Sequence, residues 1–145
     1  MQTAVNTNRK LLSAIALVGL AGTAVSSFSL YHHFSTSKTG FCNFGDSLNC
    51  DLVNRSEYST FLGVPVALIG ILGYLLILAL ATLYRSKKET PVLLLVLSSA
   101  GLGFSLYLTY IEGSILHAWC ILCLSSLALI FIETLLNLLL VRRPG

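Results

Sequence analysis

Charge is what this chain has least of. Asp, Glu, Lys and Arg make up 10% of its 145 residues, against about 25% in a soluble globular domain. That shortage excludes a water-soluble globular fold and leaves no room for a separate soluble domain. It also removes nucleic acid from the partners, because the formal net charge is only +3 and no basic stretch is interleaved with aromatics. Proline is rare too, with three residues. Pro65 and Pro91 each stand at the start of an apolar run, where a missing N–H costs a helix little.

What fills the chain is hydrocarbon: 55% of it is hydrophobic. Four apolar runs reach the ~20 residues needed to cross a bilayer, at about 11–31, 62–84, 91–111 and 116–141. The pattern predicts an all-α integral membrane protein, a single domain over 1–145 folded as a four-transmembrane-helix bundle. Arg9 and Lys10 ahead of the first run imitate a signal peptide, but the run exceeds the usual ~7–15-residue apolar core, so it is read as a retained helix. Lys and Arg mark the cytoplasmic side of short loops. Arg9, Lys10, Arg85, Lys87, Lys88, Arg142 and Arg143 all fall on one side of four spans, which predicts cytoplasmic N- and C-termini.

The long first outer loop, at about 32–61, then carries Cys42 and Cys50, and the short connection before the fourth span ends in Cys120 and Cys123. All four cysteines face one extracytoplasmic compartment, and an even number in an oxidising space suggests disulfide chemistry. Four cysteines allow three pairings; the close spacing favours Cys120–Cys123, leaving Cys42–Cys50. Three residues apart, Cys120 and Cys123 share one face in the first turn of the fourth helix. Unpaired N–H groups and the helix dipole there stabilise a thiolate. Trp119 is of the type that anchors at a membrane interface. The pair thus stands where water-side thiols meet membrane-side electron acceptors. A structural disulfide is the plain alternative, and a four-cysteine zinc site another, although the Cys42–Cys50 spacing falls outside C-x₂₋₄-C. His117 is an interfacial residue or an aid to proton transfer.

Gly40, Gly45, Asp46 and Asn49 are turn formers, so Cys42 and Cys50 are expected on irregular backbone, followed by a short half-helix over about 51–60. The full set of features is Cys42 and Cys50, then Ser56 six residues on, then Gly63-x-Pro65-x-Ala67-x-x-Gly70-x-x-x-Tyr74, then Cys120-x-x-Cys123. This set resembles the vitamin K epoxide reductase family over nearly the whole chain, in a bacterial form without a fused thioredoxin domain. A DsbB-type protein has the order of its two cysteine pairs reversed.

The resemblance implies a quinone-dependent thiol oxidoreductase of the bacterial inner membrane. Electrons from a separate, DsbA-like thioredoxin-fold partner would enter at Cys42, pass through Cys50 and Cys120, and leave from Cys123 to a quinone (ubiquinone, menaquinone or vitamin K), with no metal. Disulfide formation in exported proteins would be supported, and reduction of vitamin K or its epoxide would use the same circuit. Ser56 would bond a quinone oxygen or cap the half-helix. Phe61, Tyr74, Phe104, Tyr107 and Tyr110 are candidate walls of the quinone pocket, and the small residues Gly63, Gly70, Gly73, Gly101, Gly103 and Ser105 admit a ring or another backbone. Glu133, inside the fourth span, is read as a snorkelling or helix-pairing carboxyl. A non-catalytic membrane scaffold or small transporter with two structural disulfides is the competing reading.

Overall fold

The computed structural model describes residues 2–34, 60–84, 87–117 and 121–142. Cys42, Cys50, Ser56, Trp119, Cys120 and the expected half-helix lie outside them. Helix α1 runs Gln2–Phe34, longer at both ends than its apolar run. A minute hairpin follows, β1 (Thr60–Phe61) pairing antiparallel with β2 (Val64–Pro65). Then come α2 (Val66–Thr82), α3 (Thr90–Ile111), a wide π-type turn (Glu112–Leu116) and α4 (Ile121–Arg142). Of these, 6–31, 90–115 and 121–142 are long and apolar enough to cross a membrane. The 17 residues of α2 reach only about 25 Å at 1.5 Å per residue. The structure is that of an all-α membrane protein.

Two starts differ from the sequence reading. The second helix begins at Val66 rather than near Leu62, because Leu62 and Gly63 have φ of 54° and 81°. Two successive left-handed residues make the tight turn that matches strand twist, and a helix cannot include them. Pro65, with ψ 133°, is consequently the N-cap residue and stands outside the first turn. Pro91 does sit in the first turn of α3. Leu116 and His117 belong to the turn after α3 rather than to α4, since His117 is left-handed with φ 51°.

The helices run up-down-up-down. Gly19, Gly22 and Ser26 of α1 meet Leu78, Tyr74 and Gly70 of α2 in reverse order, while Gly101 meets Ile130 and Ser98 meets Asn137. Around the bundle, α1 lies between α2 and α4, α3 packs on α4, and the α2–α3 seam is the loosest. Small residues let α1 and α2 approach closely, which is how helices associate when lipid is as apolar as their side chains. A methyl at Gly22 would lie 2.2 Å from Cε1 of Tyr74, so the ring occupies the space glycine leaves.

The core of Ile15, Ile77, Ala81, Leu94, Ile130 and Leu140 fills the half of the bundle holding the α1 N-terminus. Leu17, Leu20, Leu72, Val96 and Phe131 point outward, as lipid contact requires. Serine and threonine hydroxyls inside the helices bond the carbonyl four residues back, as Thr23 does to Gly19 and Thr134 to Ile130, both at 2.8 Å. No water is present in a bilayer core to satisfy them otherwise. A side-chain link joins α3 to α4: Asn137 Nδ2 donates to Leu94 O at 3.2 Å and to Ser98 Oγ at 3.0 Å.

Along α4 the inward positions are Cys123, Ser126, Ile130, Glu133, Asn137 and Leu140. Their steps of three and four are the spacing that keeps one helix face turned to its neighbours. The last four are buried. This phase turns Cys123 into the bundle.

Candidate active site

At the end of the bundle opposite that core, the four helices part around a cavity of about 340 Å³, within the range of small-molecule sites. Its lining includes both sides of the weakly packed α2–α3 seam. From α1 it takes Val25, Ser26 and Ser29, and from α2 the stretch of Val66, Gly70, Gly73 and Tyr74. Helix α3 adds Leu97, Gly101, Phe104, Ser105 and Leu108, followed by Glu112 of the wide turn. Helix α4 adds Leu122, Cys123, Ser126 and Ile130. The wall is chiefly apolar with a few hydroxyls, one carboxyl and one thiol. Cys123 is half-buried and carries no disulfide among the described residues.

Tyr74 closes the inner end. Its ring is 4% exposed, fills the gap over Gly22, and its hydroxyl meets Ser126, donating to the carbonyl at 2.9 Å with Oγ at 3.0 Å. This ties α2 to α4 one turn below Cys123. At the outer end the hairpin lays Phe61 edge-on against Phe104, centroids 5.9 Å apart, and Phe104 stacks on Tyr107 at 6.5 Å. Such pairs contribute about 0.5–1.5 kcal/mol beyond buried area, enough to seat the hairpin on α3.

The sequence-derived wall residues are therefore divided. Tyr74 and Phe104 line the cavity, and Phe61 touches it through Phe104. Tyr107 and Tyr110 are 55% and 67% exposed and line no part of it. Among the small residues, Gly70, Gly73, Gly101 and Ser105 are in the wall, whereas Gly63 makes the hairpin turn and a methyl on Gly103 would meet nothing. Ser126 and Glu112 went unmarked in the sequence. Ser126 carried a signal, one helical turn after Cys123 on the same face; Glu112, next to Gly113 at a span's end, resembled an ordinary loop acid.

A model of the vitamin K epoxide reductase family matches residues 11–138. The match spans all four helices and both cysteine-bearing segments. The chain belongs to this family. It is thereby placed among membrane thiol–disulfide oxidoreductases. Among the described residues no group of three His, Cys, Asp or Glu side chains could hold a metal ion.

Below the cavity on α4, Glu133 is 0% exposed, so it does not snorkel. Neither of its carboxyl oxygens has a hydrogen-bond partner among the described residues, and the same is true of Asn137 Oδ1.

Proposed function

We propose that this protein carries electrons from extracytoplasmic dithiols to a quinone held in the cavity. The observation that carries the reading is Cys123 in the wall of a largely apolar chamber inside the bundle. A bound quinone would supply a sink for two electrons and two protons. The residues fit such a ring: Phe104, Gly73 and Leu108 offer flat or open apolar surface, and Ser105, Thr109 and Ser126 offer a few polar groups.

The cysteine relay follows from thiolate exchange. A thioredoxin-fold partner dithiol reduces Cys42–Cys50 through a mixed disulfide at Cys42 and leaves oxidised. The Cys50 thiolate attacks Cys120, forming Cys50–Cys120 and releasing the Cys123 thiolate. Cys42 then attacks Cys50, restoring its own disulfide and leaving Cys120 and Cys123 both reduced. When that pair closes again, two electrons and two protons depart into the cavity. Ser56 is assigned the role of bonding the acceptor's oxygen or of capping its own segment.

The membrane is read as the bacterial cytoplasmic membrane. Arg9, Lys10, Lys87, Lys88 and Arg142 gather at the bundle end away from the cavity, which supports cytoplasmic termini and outward-facing cysteines. Disulfide formation in exported proteins is the physiological output, and the chain acts as one domain.

The test is quinone reduction by purified protein with a reduced thioredoxin-fold protein as donor. Turnover is expected to vanish in Cys120→Ala and Cys123→Ala, while Cys50→Ala accumulates a mixed disulfide at Cys42. A wild type that reduces no quinone, its four cysteines stably bridged, would leave a scaffold with structural disulfides.

A further inference from the structure

A buried polar pair inside α4 plays no part in the cysteine relay. Glu133 and Asn137 are both 0% exposed and four residues apart, which makes them neighbours on one helix face. They lie between the core residues Ile130 and Leu140. Arg142 ends the helix nine residues after Glu133, so the carboxyl is about 14 Å inside that end at 1.5 Å per residue. Three oxygens of the pair, both of the Glu133 carboxyl and Oδ1 of Asn137, are buried without a hydrogen-bond partner among the described residues. Buried polar atoms are nearly always paired, so three orphaned acceptors on one turn call for a donor.

The Asn137 amide has its orientation fixed by its partners. The Leu94 carbonyl can only accept, so Nδ2 must face it, at 3.2 Å, and the same nitrogen reaches Ser98 Oγ at 3.0 Å. Ser98 passes its own proton to the Leu95 carbonyl at 3.2 Å. That leaves Oδ1 off the link, an acceptor with no donor. An ionised Glu133 would bring only more acceptors, whereas a neutral one brings an O–H.

Nothing charged is placed to hold the ionised form. Every Lys, Arg and His whose side chain is described is exposed, including Arg9 and Lys10 of α1 and Arg142 of α4. From α2, Tyr74 is within electrostatic reach of Glu133, but its hydroxyl is engaged with Ser126. The ionisable groups of α3, Tyr107 and Tyr110, are exposed. An unpaired carboxylate inside a span is costly, and burying it without a partner is the worst case for a charge.

We propose that Glu133 is a proton-binding site of the bundle: at neutral pH its carboxyl holds one proton and donates it to Asn137 Oδ1. The bond extends the link between α4 and α3 into one chain, from Glu133 through Asn137 and Ser98 to the Leu95 carbonyl, with each proton pointing toward α3. Loss of the proton would set a charge against the amide oxygen and cut the chain at its first bond. The assignment is independent of the electron path.

The test is infrared spectroscopy and equilibrium unfolding of the full-length protein in mixed micelles without quinone. At neutral pH a protonated-carboxyl C=O band that shifts in D₂O is expected, and it should be missing from Glu133→Gln. In Asn137→Leu the band should remain but move to higher frequency, because the O–H has lost its acceptor. The folded state holds a proton that the unfolded chain gives up above the ordinary carboxyl value of ~4.3. Stability tied to it is therefore present below that value and declines as pH rises. The unfolding equilibrium constant of wild type, relative to Glu133→Gln, should grow about tenfold per pH unit until the folded site itself loses its proton. Glu133→Gln keeps a donor in place through its Nε2–H and should be the more stable of the two at neutral pH. A carboxyl band unchanged by Glu133→Gln, or a variant less stable than wild type at neutral pH, would overturn the assignment, since an ionised and partnered Glu133 gives both. A band lost in Glu133→Gln but unmoved in Asn137→Leu would overturn the bond to Asn137. If Asn137→Leu does not fold, the band and the pH slope of Glu133→Gln decide.

Discussion

Replacing Gly22 with alanine should unseat Tyr74, and the size of the effect follows from the geometry. The new methyl would stand 2.2, 2.3 and 2.5 Å from Cε1, Cδ1 and Cζ of the ring, where carbon atoms rest at about 3.5–4.0 Å. The ring must retreat by more than 1 Å, and it is walled in by α1, α2 and α4. Overpacking of this kind costs about 1–3 kcal/mol. Losing the hydroxyl's bond to Ser126 adds about 0.5–1.5 kcal/mol. Gly22→Ala should therefore lose about 1.5–4.5 kcal/mol in equilibrium unfolding in mixed micelles, and quinone turnover should fall with it. In a Tyr74→Leu background the clash is gone. The same substitution then replaces a glycine in mid-helix and should be neutral, or stabilising by up to ~1 kcal/mol. Gly19→Ala is the control on the same face, since its methyl would meet Ile77 and Tyr74 O at an ordinary 3.6 Å. Equal cost of Gly22→Ala in both backgrounds, or none in either, would refute the wedge.

Gly73 poses the opposite case: it lines the cavity, and a methyl there meets nothing within 4 Å. Gly73→Leu should leave stability unchanged or raised, by helix propensity of up to ~1 kcal/mol, while KM for quinone rises more than tenfold; an unchanged KM would place the acceptor elsewhere. Ser98→Ala removes one of the two acceptors of Asn137 and should cost about 0.6 kcal/mol, the usual value for polar contacts between membrane helices, with turnover retained. A loss above about 2 kcal/mol in the same unfolding assay would mean that Ser98 supports more than this link.

The spans were legible because a bilayer demands about 20 apolar residues in a row, and Leu11 to Tyr31 or Pro91 to Ile111 satisfy that without any tertiary information. The rotation of each span was not. A helix apolar all round gives no inward stripe, so Phe104, Tyr107 and Tyr110 looked alike although only Phe104 faces the cavity. Small and polar side chains mark the inner face better: Gly70, Gly101, Ser105 and Ser126 all point inward. The late start of α2 was hidden because a leucine, Leu62, takes a left-handed conformation that glycine or asparagine would have announced. Glu112 was missed because a carboxyl at the end of a span is ordinarily solvated; the wide turn that buries it leaves no mark in composition.

The Asn137 clasp onto Leu94 and Ser98 sits 14 residues from Cys123, about 21 Å along α4 at 1.5 Å per residue. A helix is stiff to twisting, so fixing its azimuth at one membrane face fixes it at the other. One extra residue between Ile130 and Asn137 would turn everything above it by about 100°, pointing the thiol toward lipid while leaving the span apolar and the clasp intact. The aim of the cysteine is thus set in part from the far side of the membrane, like the bit of a key held by its bow.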